Sequence, residues 1–184
     1  MNTIEDILAV IDGHGSRQYG REAVSQREHA LQCAQLAEQD GASDALVTAA
    51  LLHDFGHLVN RTAETDGPDV DDVHQYIAIP FLRPFFPPAV LEPIRMHVEA
   101  KRYLCRVDPA YWAGLSDCSK HTLKLQGGIF SEEEAAQFIQ RPFAADAVKL
   151  RIWDDRAKTP GLATPTTRHY AAAMARCMTA ESVI

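Results

Sequence analysis

Apolar residues along this chain recur at intervals of three and four, the period of a helix face. Ile4, Ile7, Leu8 and Ile11 form a first short stripe that closes near Gly13. From about Glu22 to Gln39, Ala30, Cys33, Ala34 and Ala37 share a second stripe, and Gly41 is a natural stop. Ser43 predicts an N-cap for a helix through Ala45–Leu52. Residues 60–72 are polar and contain Gly67-Pro68, so they read as a loop, after which Asp71 or Asp72 would cap a helix carrying His74. Prolines 80, 84, 87 and 88 break up the next stretch before a helix from about Ala89 to Val98. Ser116–Leu125 predicts a helix stopped by Gly127-Gly128, and Ser131-Glu132-Glu133-Glu134 a capping box that opens another. Ala144–Arg156 and Thr166–Thr179 complete the set. No strand-like alternation persists and no linker stands out. The expectation is an all-α fold, a single compact helical bundle over residues 1–184.

Composition narrows the class. With 46% hydrophobic and 23% charged residues the chain is an ordinary globular one. A net charge of −7 argues against general nucleic-acid binding, although a local basic cluster can still hold a small anion. No apolar run approaches the roughly 20 residues of a bilayer span, and the acidic start Met1-Asn2-Thr3-Ile4-Glu5-Asp6 lacks a signal peptide's basic region. A cytoplasmic protein is expected. Cys33, Cys105, Cys118 and Cys177 lack the close spacing of a thiolate metal site and read as reduced structural residues, and Trp112 and Trp153 read as core.

The chemistry concentrates at His53-Asp54, directly after the apolar Ala49–Leu52 run. A lone histidine on a helix is usually a surface or satisfied core residue. An imidazole–carboxylate doublet at the end of a buried helix is harder to dismiss. With His29 upstream and His74, His97 and Asp154 downstream, it makes four nitrogens and two carboxylates. Iron and neighbouring transition ions favour such mixed ligands, and the set suffices for two ions. Asp54, with two oxygens, is suited to bridge them. Lys101 lies four residues after His97, and Arg151 three before Asp154. At those spacings both cations project beside the metals and form an anion pocket. His14, His121 and His169 fit no such role.

The order His…His-Asp…His…His…Asp resembles the HD-domain superfamily in its dinuclear form. Longer blocks are similar to its mixed-valent diiron oxygenases, the PhnZ/TmpB-like phosphonate dioxygenases. These blocks are Tyr19-Gly20-Arg21-Glu22 ahead of Gln26–His29, His53-Asp54-Phe55-Gly56-His57, His97–Leu104, Leu115–Ser119, Leu125–Gly128 and Lys149–Asp154.

The resemblance implies two iron ions, Fe(II)/Fe(III). His29, His53, Asp54 and Asp154 would hold the first; Asp54, His74 and His97 would hold the second. It places His57, Lys101, Ser119, Gln126 and Arg151 on the substrate's phosphonate. Tyr19 would ligate iron at rest and leave when substrate arrives, and Glu22 would meet the substrate's cationic end. Tyr19 and Glu22 lie three apart, which suggests one helical face. The implied reaction cleaves a carbon–phosphorus bond with O2. The expected substrate is a 1-hydroxy-2-(trimethylammonio)ethylphosphonate giving phosphate and glycine betaine, made beforehand by a separate hydroxylase. The polar, acidic loop at 60–73 favours this amine. The alternatives are the primary amine, giving glycine, and an HD-domain metal-dependent phosphohydrolase, which gives Tyr19 and Glu22 no particular role.

Overall fold

Thr3 begins the first helix with a reciprocal cap: its hydroxyl accepts from the Asp6 N–H and its own N–H donates to the Asp6 carboxylate. The structure, a computed structural model, describes residues 3–20, 22–60 and 73–179. Among these residues the chain is helical and carries no strand; an isolated antiparallel bridge joins Gln18 to Ser25. No helix there is long and apolar enough to cross a membrane.

The helix α1 (Ile4–His14) buries Ile4, Ile7, Leu8 and Ile11, the stripe read from the sequence. In α2 (Gln26–Gln39), Ser25 and Glu28 form a second capping box, which fixes the start four residues later than the periodicity suggested. Tyr19 and Glu22 therefore do not share a helical face. They sit in a turn closed by the Glu22 N–H donating to the Tyr19 carbonyl, with Gly20 at φ +53. Ser43 caps α3 (Asp44–Leu52), in which all seven residues from Leu46 to Leu52 are buried. This central rod packs against α2 and against three later helices, α6 (Pro88–Val107), α10 (Ala144–Arg156) and α11 (Ala171–Arg176).

Two short helices were not foreseen, α4 (Phe55–Val59) and α7 (Pro109–Gly114). Neither is long enough to show a period. The proposed Asp71 and Asp72 caps and most of the 60–73 loop lie outside the described residues; the N-cap position of α5 (His74–Leu82) is Val73. Pro80 sits inside α5 rather than ending it. The hydrogen bond it forfeits belongs to the carbonyl of Tyr76, a residue 46% exposed whose backbone oxygen can turn to water. Pro87 and Pro88 mark a start rather than a break: Pro88 is the first residue of α6, where its missing N–H costs nothing. The helix then runs twenty residues to Val107, nine past the expected end.

The remaining helices follow the sequence reading closely. Ser116 caps α8 (Asp117–Leu125), and Ser131 with Glu134 form the predicted box for α9 (Glu132–Ile139). The last segment splits into a 3-10 turn, Thr167–Tyr170, and α11. Trp153 is buried and donates to Asp40, but Trp112 is 44% exposed, with Lys120 above its ring, and is not core. The four cysteines are free thiols.

The approach of α4 to α5 depends on one residue. A Cβ on Gly56 would lie 2.0 Å from the His74 carbonyl oxygen and 2.9 Å from its Cα, so backbone would have to move. Gly56→Ala is expected to destabilise the fold by about 1–3 kcal/mol, as overpacking does. The check is the urea midpoint. An unchanged midpoint would contradict this close approach.

Candidate metal and anion site

Six side chains from four helices and one helix junction meet in the interior. His29 comes from α2, His74 from the first turn of α5, His97 from the middle of α6 and Asp154 from the last turn of α10. His53 is the C-cap residue of α3 and Asp54 the N-cap residue of α4, and both side chains enter the cluster from this break between the two helices. Each of the six is at most 6% exposed.

The two oxygens of Asp54 face different partners. Oδ2 lies 3.3 Å from His53 Nε2 and 3.6 Å from His29 Nε2. Oδ1 lies 3.2 Å from His74 Nε2 and 3.7 Å from His97 Nε2. Asp154 attends the first pair, 3.3 Å from His29 and 3.8 Å from His53. His57 is nearer the second group: its Nε2 is 3.9 Å from Asp54 Oδ1 and its ring stacks on His74. The clusters His29–His53–Asp154 and Asp54–His57–His74 each have the compactness of a metal-binding set.

The donors fit cations. His29 Nδ1 lies 2.8 Å from the Ala157 carbonyl, His53 Nδ1 2.9 Å from Ala50 and His97 Nδ1 2.7 Å from Ile94. A carbonyl accepts, so these nitrogens carry the protons and each neutral ring presents a lone pair at Nε2. Yet His29 and His53 bring their Nε2 atoms to 3.1 Å, and His74 and His97 to 3.0 Å. Two lone pairs at that range repel unless a positive charge lies between them. Asp54 Oδ2 is moreover buried with no hydrogen-bond partner, and the buried Asp154 Oδ2 has the Arg151 guanidinium 2.7 Å away. Nitrogen lone pairs, carbonyls that hold the opposite ring nitrogens and buried carboxylates together suit a metal cofactor.

The field agrees. Burial opposes ionisation of Asp54, but His53 and His74 beside it hold its carboxyl well below the usual carboxylate range. Burial likewise opposes the His53 imidazolium, yet Asp54 and Cys33 hold its pKa well above the ordinary value, so the space at His53 Nε2 calls for positive charge, a proton or a metal ion. Burial and the neighbouring His74 and His53 push His97 well down.

A polar shell surrounds this centre. Tyr19 stacks on the His29 ring at 3.8 Å and points its hydroxyl at Asp154 Oδ1, 3.4 Å away; burial, Asp154 and Asp54 raise its phenol well above the usual range. The continuation of α6 puts Lys101 one turn past His97, buried and donating to Thr122 Oγ1 at 3.0 Å. Burial, and then Arg151, bring its pKa down to about 7. Arg151 is buried and forks onto acids: Nη1 is 2.7 Å from Asp154 Oδ2, Nε donates to Asp155 Oδ2 at 2.9 Å, and Nη2 pairs with Asp155 Oδ1. Ser119 lies in the first turn of α8, and Gln126, at its C-terminus, has a buried side-chain oxygen with no partner. His14 holds the Leu58 carbonyl and His169 pairs with Glu38, both away from the cluster.

Four contributors, Tyr111, Ser116, Asp155 and Lys158, escaped the sequence reading. Tyr111 donates to Asp155, Ser116 donates to Glu22 Oε1 at 2.7 Å, and Lys158 reaches Glu22 and Ser119. Asp155 and Lys158 had a faint signal in standing one and four residues after Asp154. Tyr111 had none, and Ser116 was read as a helix start within the Leu115–Ser119 block but given no role in the site.

No family model matches the chain. Two characterised relatives do. Over 177 residues it is 42% identical to hydroxymethylphosphonate dioxygenase of Gimesia maris, covering 95% of this chain and 88% of the relative. Over 171 residues it is 37% identical to 1-hydroxy-2-(trimethylamino)ethylphosphonate dioxygenase (glycine-betaine-forming) of Leisingera caerulea, covering 92% and 87%. The chain belongs to the PhnZ/TmpB-like phosphonate dioxygenases. Within such a dioxygenase, the paired imidazoles and the buried carboxylates of Asp54 and Asp154 are the place for a metal cofactor.

Proposed function

We propose that this dioxygenase cleaves the carbon–phosphorus bond of a 1-hydroxyphosphonate with O2, using two iron ions as a mixed-valent Fe(II)/Fe(III) pair in an HD-type helical domain spanning 1–184. The observation that carries the reading is the division of Asp54: one oxygen toward His29 and His53, the other toward His74 and His97. His29, His53, Asp54 and Asp154 would hold the first ion, and Asp54, His74 and His97 the second. When bound, the pair supplies the redox equivalents and Lewis acidity that side chains lack.

The protein's own groups bind and orient. Lys101, Arg151, Ser119, Gln126 and His57 would hold the phosphonate; a dianion arriving beside Lys101 favours its charged form. Arg151 keeps a guanidinium against the site while Asp155 and Tyr111 fix its plane. Tyr19, flat on His29, covers the first position and would leave as substrate enters. In the overall balance one O2 and one hydroxyphosphonate give one carboxylate and one phosphate. The C–P bond and the C1–H bond break, C1 rises to the carboxylate level and O2 takes up four electrons. The C1 hydroxyl must be installed earlier by a separate hydroxylase. Four free thiols suit the reducing cytoplasm.

The two relatives are named for different substrates, one with a trimethylamino group and one, hydroxymethylphosphonate, with no amine. The trimethylammonio compound is the substrate expected from sequence, with the primary amine as alternative. A hydrolase would use the same ligands without oxygen. Anaerobic loading with Fe(II), partial oxidation and assay of phosphate with and without O2 separates the two. Phosphate is expected in step with O2 consumed. Equal release without O2 would establish hydrolysis instead.

A further inference from the structure

A substrate with a cationic end needs an anionic partner in the protein. The site offers four carboxylates for that role. Asp54 and Asp154 face the imidazoles, and Asp155 is taken up by Arg151 and Tyr111. Glu22 remains, and it already has a cation. Its Oε1 accepts from the Lys158 ammonium at 3.3 Å and from the Ser116 hydroxyl at 2.7 Å. Lys158 also donates to Ser119 Oγ at 3.1 Å and lies 3.9 Å from Asp155 Oδ1. Both side chains are largely withdrawn from water, 14% exposed for Lys158 and 18% for Glu22. Ser116 and Lys158 hold the Glu22 carboxyl below its ordinary pKa although burial opposes this, so it is an ion engaged by an ion.

Lys158 is held on both sides. The preceding Ala157 carbonyl takes the His29 Nδ1 proton, and the backbone of Thr159 is clasped by the Gln32 amide through bonds of 2.7 and 3.0 Å. The lysine thus leaves the chain where the cluster itself anchors it. Its Nζ stands 6.0 Å from the centre of the Tyr19 ring and within hydrogen-bond reach of a serine expected to hold phosphonate.

We infer that Lys158 is a specificity-determining residue that occupies the cation position at Glu22 and selects hydroxyphosphonates with no cationic end, of which hydroxymethylphosphonate is the smallest. A quaternary ammonium brought to Glu22 would meet a fixed like charge and break hydrogen bonds that it cannot itself replace. An uncharged end leaves the Lys158–Glu22 pair intact and gains a further positive charge near its phosphonate. The inference rests on the proposed hydroxyphosphonate chemistry and refines its substrate. The products of hydroxymethylphosphonate would be formate and phosphate.

The experiment compares hydroxymethylphosphonate with 1-hydroxy-2-(trimethylammonio)ethylphosphonate on iron-supplied wild type, Lys158→Met and Lys158→Arg. Anaerobic calorimetry gives the binding constants, and phosphate release under O2 gives kcat/KM. Wild type should favour the uncharged compound by at least about tenfold, the order expected for one like-charge contact near a surface. Lys158→Met should shrink that ratio at least about fivefold by gaining affinity for the trimethylammonio compound, while Lys158→Arg keeps it. A wild-type preference for the trimethylammonio compound, or a ratio unchanged in Lys158→Met, overturns the inference. If neither compound releases phosphate the proposed reaction fails, and the anaerobic binding ratios still decide the role of Lys158. Should Lys158→Met not fold, Lys158→Gln and the wild-type ratio decide it.

Discussion

Asp54→Ala is expected to empty both metal positions at once and to lower O2-dependent phosphate release by at least about 10³-fold, or ~4 kcal/mol of barrier. The reason is geometric. Each Asp54 oxygen is the acidic neighbour of a different imidazole pair, so one truncation takes negative charge from both. It also leaves the lone pairs of His29 and His53 facing each other across 3.1 Å with Asp154 as their sole remaining carboxylate neighbour in the cluster. Asp154→Ala is the informative contrast. It lies beside the first pair and not the second, so iron content should fall from two per chain toward one. Elemental analysis of protein produced with ample iron reads both variants. A full iron complement in Asp54→Ala would contradict the bridging position, and equal loss in the two variants would contradict the division into two sets.

Local rules suffice for the helix starts. Ser25, Ser43, Ser116 and Ser131 each announce a helix start because capping is a bond between residues three apart, and such bonds need no tertiary context. The six imidazole and carboxylate residues were legible by type and order, and the fold brings all of them to one place. The substrate side was less legible. Arg151 is read from spacing as a free cation, whereas its guanidinium is forked onto Asp154 and Asp155. Glu22 is read as an open carboxylate, whereas Ser116 and Lys158, separated from it by more than ninety residues of chain, already bind it. Spacing along one helix shows which residues project together. It carries nothing about a partner arriving from another element, as both partners of Glu22 do, whereas Asp154 and Asp155 stand three and four residues after Arg151 on its own helix.

That difference alters what Arg151→Ala should do. As a free phosphonate-binding cation its loss would weaken substrate binding and leave the fold intact. As found, it is 4% exposed, and its removal leaves the buried Asp154 without its guanidinium and Asp155 with Lys158 alone, 3.9 Å away. Breaking a buried pair from one side costs about 3–5 kcal/mol, so the metal-free variant should melt roughly 10 °C below wild type, using about 2–4 °C per kcal/mol for a chain of this size. Arg151→Lys keeps the charge but cannot span both carboxylates, and should lose part of that stability. Substrate affinity then separates the two duties of the residue. If Arg151 also holds phosphonate, Arg151→Lys in the iron-loaded protein raises the Kd for hydroxyphosphonate at a temperature where it is fully folded. An Arg151→Ala melting point within 2 °C of wild type would show that Asp154 and Asp155 do not depend on it, and an unchanged Kd in Arg151→Lys would confine the residue to structure.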